Sequence, residues 1–186
     1  MLLVGGRAGI EGRWVELEQL KVEIGSPIVR LLLDHWLAAR GGRQIPVWRD
    51  IDATRIVKAL PLISVWQVGA DGEVRGRLCG AETRFFLGNS IKGKTVDEVF
   101  PPYIATGVRT LILDATQNRT IIHLRGQMPN RRGDLVEYER ITLPLSFDGS
   151  VCDGAIAVRV GAGIVPAEQY DEDTPWEPMP ENRVAV

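Results

Sequence analysis

The stretch "LISVWQVGADGEVRGRLCGAETRFFLG", residues 62–88, decides the fold prediction because it contains a hairpin followed by a helical segment. Residues 63–68 have the composition of a strand, "GADG" at 69–72 is rich in turn formers, and residues 73–80 return as a second strand. Short helical turns follow, and Gly88 is the first break among them. The sequence therefore predicts an antiparallel strand pair that precedes a helical insert.

A long helix and three strands follow the helical insert. The apolar residues of the helix recur at the spacing of one helix face, and Asn118 is a suitable terminator. These apolar residues are Ile104, Val108, Leu111, Ile112 and Ala115. Three later apolar segments, at residues 120–126, 135–146 and 151–160, predict strands. Together with the hairpin, they predict an α+β domain with a five-stranded antiparallel sheet and helices on one face.

The middle one of these last three strands changes phase along its length. Its apolar residues begin with Val136 and Tyr138 and continue with Ile141. Since neighbouring residues of a strand point to opposite faces, this change moves the apolar side from one face to the other. We predict a β-bulge near residues 139–140 as its cause.

A helix with a broad apolar surface is predicted upstream of the hairpin. Ser26 is a suitable N-cap before Pro27, and Gly41 ends the segment. Polar residues occupy only a narrow stripe between these ends. Such a helix buries more than one face, so either the domain wraps it or a second copy of the protein covers it. We predict a homodimer through the helix at residues 28–40.

The two ends of the chain differ in composition from the central domain, which we place at residues 26–163. Residues 1–25 form an N-terminal extension whose spacing fits either a strand or a helix, and we describe it as helical. Residues 164–186 contain four prolines and six acidic residues against one arginine. We expect this acidic tail to be extended or disordered, with Tyr170 and Trp176 available for docking onto a partner.

The overall composition limits the partners and the compartment. The chain has 186 residues and a formal net charge of −2, which suits one globular domain and argues against nucleic acid as a main partner. No window reaches the roughly 18 apolar residues of a membrane span, and no secretory signal opens the sequence. Cys79 and Cys152 are too few for a disulfide framework and lack metal-ligand spacing. We therefore expect a cytoplasmic protein without a metal site.

The order of elements, with the hairpin first and the helices before the last three strands, resembles the PAS sensory fold. Residues 35–68 and 74–99 are similar to the single-domain PAS family of alphaproteobacterial type. That family shows a tryptophan-containing helix, an arginine-proline linker, an acidic pair, a leucine-proline helix end and an Arg-Leu-x-Gly strand end. The matching positions are Trp36, Arg43, Pro46, Asp50, Asp52, Leu60, Pro61, Arg77, Leu78, Gly80, Gly88 and Gly93. The resemblance covers roughly residues 30–160.

The resemblance implies a sensory or interaction module that acts in signalling by protein–protein contact. A small apolar or carboxylate ligand would control this contact. The sequence contains no nucleophile elbow, phosphate-binding loop or output-domain motif, so we predict no enzymatic activity. A homodimeric scaffold without a ligand and a small-pocket enzyme are the alternatives.

A ligand pocket would lie between the sheet and the long helix of the PAS-like domain. The residues that we predict to line it are Trp66, Arg77, Phe85, Phe86, Val108, Ile112 and Tyr138. In this interpretation Arg77 holds a carboxylate and Tyr138 donates a hydrogen bond. In the alternative interpretation the phenylalanines pack the helical insert onto the sheet, and Arg77 forms a salt bridge with Glu82 or Asp97.

Two cofactors of PAS sensors lack their expected residues in this sequence. In flavin-binding light sensors, the segment that matches "GAETRFFLG" carries a reactive cysteine, and Thr83 occupies its position here. A hydroxyl does not replace a thiol in that chemistry, so we expect no flavin. Haem-binding members place a histidine on the long helix, whereas His35 and His123 lie elsewhere, so we expect no haem. We interpret both histidines as packed or hydrogen-bonded and leave the cofactor unassigned.

Overall fold

The computed structural model describes residues 13–129, 135–161, 177–178 and 182–186, which contain five α-helices, three short 3₁₀ helices (Trp48–Asp50, Ala53–Arg55 and Leu60–Leu62) and eight strands. The helices are α1 (Leu17–Glu23), α2 (Pro27–Arg40), α3 (Ala81–Phe86), α4 (Val96–Val99) and α5 (Pro102–Gln117). The strands are β1 (Arg13–Trp14), β2 (Ile63–Val68), β3 (Val74–Cys79), β4 (Thr120–Pro129), β5 (Leu135–Leu145), β6 (Gly154–Gly161), β7 (Glu177–Pro178) and β8 (Asn182–Ala185).

The strands form one sheet with an antiparallel centre. Among the described residues, its order is β1-β8-β4-β5-β6-β2-β3, and β7 also pairs with β4. The five strands β2 to β6 are those that the sequence predicts, so the α+β class is confirmed. The prediction of only five strands is wrong, because β1, β7 and β8 extend the sheet beside β4, and β1 runs parallel to β8. Strands this short carry too little alternation to be recognised in a sequence.

The last described residues of the chain belong to the sheet. β8 pairs antiparallel with β4, and the side chain of Val184 is only 5% exposed. Within the tail that the sequence predicts to be extended or disordered, residues 182–185 are therefore an extended strand that pairing and apolar burial hold in the sheet. Residues 164–176, which include Tyr170 and Trp176, lie outside the described residues.

Helices cover both faces of the sheet. α1 and α2 pack on one face, here named the α2 face, where Ile63, Ile141 and Ile156 are buried. α3, α4 and α5 pack on the other face, here named the α5 face, where Trp66 and Tyr138 are buried. The predicted arrangement with helices on one face is therefore wrong. The sheet has two apolar faces, and the N-terminal helices cover the second of them.

The apolar surface of α2 is buried within a single chain. Leu32, Leu33 and Trp36 are fully buried against the sheet. The indole N–H of Trp36 donates a hydrogen bond to the carbonyl oxygen of Pro144 over 2.7 Å. Of the two alternatives that the sequence leaves open, the structure shows that the domain itself covers this helix. The homodimer through residues 28–40 stays a prediction.

β5 is regular, although its apolar residues change phase. Its pairs with β4 and β6 continue without a shift through residues 139–140, so the bulge predicted there is wrong. The phase changes because both faces are covered: Tyr138 packs on the α5 face, whereas Ile141 packs on the α2 face. A bulge occurs instead between β2 and β3, where Arg77 is the extra residue.

Loss of the N-cap of α2 should lower the free energy of unfolding by about 1 kcal/mol. The hydroxyl of Ser26 accepts hydrogen bonds from the backbone N–H groups of Ile28 and Val29 over 3.2 and 3.4 Å. Ser26→Ala removes this acceptor from the first turn, and urea unfolding measures the loss. Ser26→Thr keeps the hydroxyl and should cost less than half as much. Equal losses in both variants would contradict the capping role.

Candidate functional site

Five of the seven predicted ligand-binding residues lie together on the α5 face. Each is at most 9% exposed, and all belong to one apolar cluster between the sheet and the helices. They are Trp66 on β2, Phe86 on α3, Val108 and Ile112 on α5, and Tyr138 on β5. The interior placement that helix and strand periodicity predicts for Val108, Ile112 and Tyr138 is confirmed. Their contact with a ligand stays a prediction.

The segment "GAETRFFLG" forms α3 and the turn that ends it. No side chain fits at Gly80, because a Cβ atom there would lie 1.9 Å from the carbonyl oxygen of Leu60. Gly88 has a φ of 70°, a conformation that favours glycine. Between them Phe86 packs on the α5 face, while Phe85 is 66% exposed. The prediction that Phe85 lines the pocket is therefore wrong, because successive helical residues point about 100° apart.

Arg77 also lies outside the cluster on the α5 face. It is the extra residue of the bulge between β2 and β3, and such a bulge redirects a side chain. Its guanidinium carbon lies 5.2 Å from the centroid of the Phe147 ring, in a cation–π contact. The predicted salt bridge to Glu82 or Asp97 is absent among the described side chains, and Asp97 pairs instead with Arg109. Arg77 therefore does not serve a pocket on the α5 face.

Two arginines lie on the α5 face, and one of them contacts a residue of the apolar cluster. Tyr138, Arg140 and Thr142 alternate along the regular strand β5 and therefore share this face. Arg159 on β6 lies directly opposite Arg140, and its guanidinium carbon is 3.5 Å from the centroid of the Phe86 ring. Guanidinium groups bind carboxylates through paired N–H donors. The α5 face thus carries two arginines beside its apolar cluster.

The hydroxyl group of Thr142 is buried without a hydrogen-bond partner among the described residues. The residue is 0% exposed, and its cross-strand neighbours on β4 and β6 are the apolar Ile122 and Ala157. A buried hydroxyl without a partner costs about 1–3 kcal/mol. The sequence analysis missed this residue, because threonine is common in strands. Its only signal is the alternation that places it on the same face as Tyr138.

A polar cluster on the α2 face joins the sheet to the start of α2. His123 Nε2 lies 2.7 Å from Glu139 Oε1. The backbone N–H groups of Gly25 and Ser26 donate hydrogen bonds to the two oxygens of the same carboxylate over 3.0 and 2.6 Å. Burial alone would raise the pKa of Glu139, but these hydrogen bonds outweigh burial and hold its pKa at about 2. Glu139 is therefore an anionic anchor for α2.

Both histidines are hydrogen-bonded, as the sequence predicts. His123 contacts Glu139 as described above, and the backbone N–H of Asp52 donates to Nε2 of His35 over 2.9 Å. Burial lowers the pKa of His35, and the nearby Asp52 carboxylate opposes this effect. Both side chains therefore join segments of the fold.

The described residues contain no group of three or more histidines, cysteines, aspartates or glutamates placed to hold a metal ion. No helix in the same part of the chain has both the length and the apolar character to cross a bilayer.

Cys79 and Cys152 are unpaired and half-buried. Burial raises the pKa of Cys152 to about 11, so this thiol stays protonated at neutral pH.

A family model described as PAS domain matches residues 25–155. Among solved structures, the chain is similar to the PAS domain of a protein from Colwellia psychrerythraea. That similarity has a TM-score of 0.36 and 14% sequence identity, and it covers 59% of this chain and 96% of the other. No curated protein matches the chain.

Proposed function

The chain belongs to the PAS domain family, and from this membership we propose that it acts in signalling by contact with a partner protein. PAS domains are sensory or interaction modules and are generally not enzymes. We propose further that a small ligand, bound between the sheet and α5, controls this contact. The ligand has an apolar body, which suits the buried cluster, and a polar or carboxylate group.

The unpaired hydroxyl of Thr142 is the main observation that supports a bound ligand. It lies beneath the helices with no partner among the described residues, and a hydroxyl in such a place costs free energy. A ligand oxygen or N–H group that bonds to it removes this cost. Arg140 and Arg159 add positive charge to the same face. Apolar contacts and a few convergent polar groups are the usual composition of a ligand site.

The proposed pocket keeps five of the residues named from the sequence and gains one. Trp66, Phe86, Val108, Ile112 and Tyr138 supply its apolar walls, and Thr142 supplies a hydroxyl group. Arg77 and Phe85 are not part of it.

Other expectations about partners and location are not needed for this proposal. A homodimer through residues 28–40 would have explained the apolar surface of α2, but the sheet already covers that surface. The scaffold without a ligand is the alternative, and it predicts a pocket filled by its own side chains. A cytoplasmic location stays a prediction, as does the absence of enzymatic activity.

Thr142→Val should weaken ligand retention roughly three- to tenfold, because it removes one neutral hydrogen bond. Native mass spectrometry of protein purified without added cofactor, compared with its denatured mass, measures retention. The same substitution should raise the stability of the ligand-free protein by about 1 kcal/mol, since the unpaired hydroxyl is gone.

Thr116→Val is the matched control for this experiment. The hydroxyl of Thr116 is also buried, but it donates to the carbonyl oxygen of Ile112 over 2.9 Å. This variant should therefore show no gain in stability. Wild-type protein that carries no extra mass and is not stabilised by a small-molecule extract of its host cells would contradict the ligand.

A further inference from the structure

A surface groove of about 440 Å³ lies beside β3, outside the cluster on the α5 face. Three cationic side chains line it, Arg75, Arg77 and Lys92, and none of its lining residues is acidic. Trp48 and Phe147 supply aromatic surface. We name this feature the β3 groove. It presents positive charge around an aromatic platform.

The aromatic platform of the β3 groove is fixed by the fold. The ring centroids of Trp48 and Phe147 are 5.9 Å apart. The backbone N–H of Trp48 donates to the carbonyl oxygen of Ser146 over 2.7 Å, and that of Phe147 donates to the Asp153 carboxylate over 2.8 Å. A surface that is already ordered loses little conformational entropy when a partner binds.

The three cations of the β3 groove are accessible to a partner. Arg77 and Lys92 are exposed, and the bulge in β3 places Arg77 over the ring of Phe147. Arg75 pairs with Asp71 over 2.9 Å, but the two side chains are 41% and 54% exposed. Exposed ion pairs contribute little stability. A carboxylate of a partner can therefore replace Asp71 as the ion-pair partner of Arg75 at a small cost in free energy.

We propose that the β3 groove binds an acidic peptide segment of a partner protein. Carboxylates of the segment pair with Arg75, Arg77 and Lys92, and an apolar or aromatic residue of the segment lies on Trp48 and Phe147. The positive charge of the groove is complementary to an acidic segment, whereas it would repel a cationic segment. The proposal names the chemistry of the partner for the interaction function above, on which it rests, but it does not need a ligand on the α5 face.

The position of the groove favours a peptide over a small molecule. Small-molecule sites enclose most of the surface of their ligand. The β3 groove is instead open to solvent beside the strand at one end of the sheet. An open groove with dispersed charges suits an extended segment, which spreads several weak contacts along its length.

Fluorescence anisotropy with the full chain tests this proposal. The probe is a short fluorescein-labelled peptide of glutamate and aspartate with one central tryptophan, and the same peptide with amides in place of the carboxylates is its control. We expect saturable binding of the acidic peptide that weakens with added salt. The double variant Arg77→Glu with Lys92→Glu should bind at least about tenfold more weakly, because two attractive contacts become repulsive. Arg55→Glu with Lys58→Glu makes the same charge change at exposed positions outside the groove and should bind as the wild type does.

Several outcomes would overturn the proposal. Circular dichroism first confirms that both double variants fold. Binding that is absent in the wild type, or unchanged in the groove variant, excludes the groove as a peptide site. If inorganic phosphate or citrate displaces the peptide at the same concentration of negative charge, the groove is a site for small anions. Self-association that the groove variant abolishes assigns it to a second copy. Thr142→Val should leave peptide binding unchanged, so a failure here is distinct from a failure of the α5-face pocket.

Discussion

Trp36→Ala should lower the free energy of unfolding by about 3–5 kcal/mol, the range for a large aromatic side chain in a core. Trp36 is fully buried between α2 and the sheet. Its removal leaves a cavity and also leaves the buried carbonyl oxygen of Pro144 without its donor. Urea unfolding followed by circular dichroism measures the change.

Two variants control for this effect. Trp14→Ala removes the same side chain from an exposed site, and it should change the stability by less than about 0.5 kcal/mol. Trp36→Phe keeps an aromatic ring but removes the donor, and its cost should lie between the two. A loss below about 1.5 kcal/mol for Trp36→Ala would contradict the burial of this residue.

The same experiment separates a single chain from a dimer. If α2 is covered by its own sheet, the loss caused by Trp36→Ala does not depend on protein concentration. If a second copy covers residues 28–40, the stability of wild type and variant rises with concentration. Unfolding curves at two concentrations therefore test the homodimer directly.

Glu139 should make the folded state about 3 kcal/mol more stable at neutral pH than at strongly acid pH. Its pKa is about 2 in the folded protein, against an ordinary value of 4.5. A lowered pKa means that the unfolded state binds the proton more readily. The contribution is therefore complete above about pH 5 and is lost as the pH falls from 4.5 towards 2.

Unfolding experiments between pH 7 and pH 2 measure this contribution. Glu139→Gln removes the charge and should flatten this part of the pH dependence. His123→Gln keeps the hydrogen bonds from Gly25 and Ser26, so it should retain part of the pH dependence. Identical pH profiles for wild type and Glu139→Gln would show that this carboxylate is not an anchor of α2.

Local signals were enough to predict much of the fold. α2 begins after Ser26 and ends before Gly41 as predicted, and Asn118 follows the last residue of α5. These boundaries depend on capping and on backbone conformation, which neighbouring residues determine. The hairpin of β2 and β3 is equally local.

Features that depend on distant contacts were not predicted correctly. The phase change in β5 has two explanations, a bulge or a second covered face, and only the position of α2 distinguishes them. The true bulge at Arg77 depends on the register between β2 and β3. No single-strand pattern reports such a register.

The residues of the candidate site likewise separate into those that local patterns predict and those that depend on distant contacts. Helix and strand periodicity was sufficient to place Val108, Ile112 and Tyr138 inside the domain. α3 has six residues, which is too short for periodicity to distinguish Phe85 from Phe86. Thr142 became visible only when its neighbours were known, because an unpaired hydroxyl is a property of surroundings.

The parallel pairing of β1 with β8 has a consequence for the order of events during synthesis. Arg13 and Asn182 are 169 positions apart, yet their side chains are hydrogen-bonded. On the ribosome, β1 therefore lacks its partner until residue 182 has emerged. The hairpin of β2 and β3 closes over a few residues and meets no such delay. The edge of the sheet that carries β1 and β8 is therefore completed only after the central strands have been translated, and its pairing costs the closure entropy of a long loop.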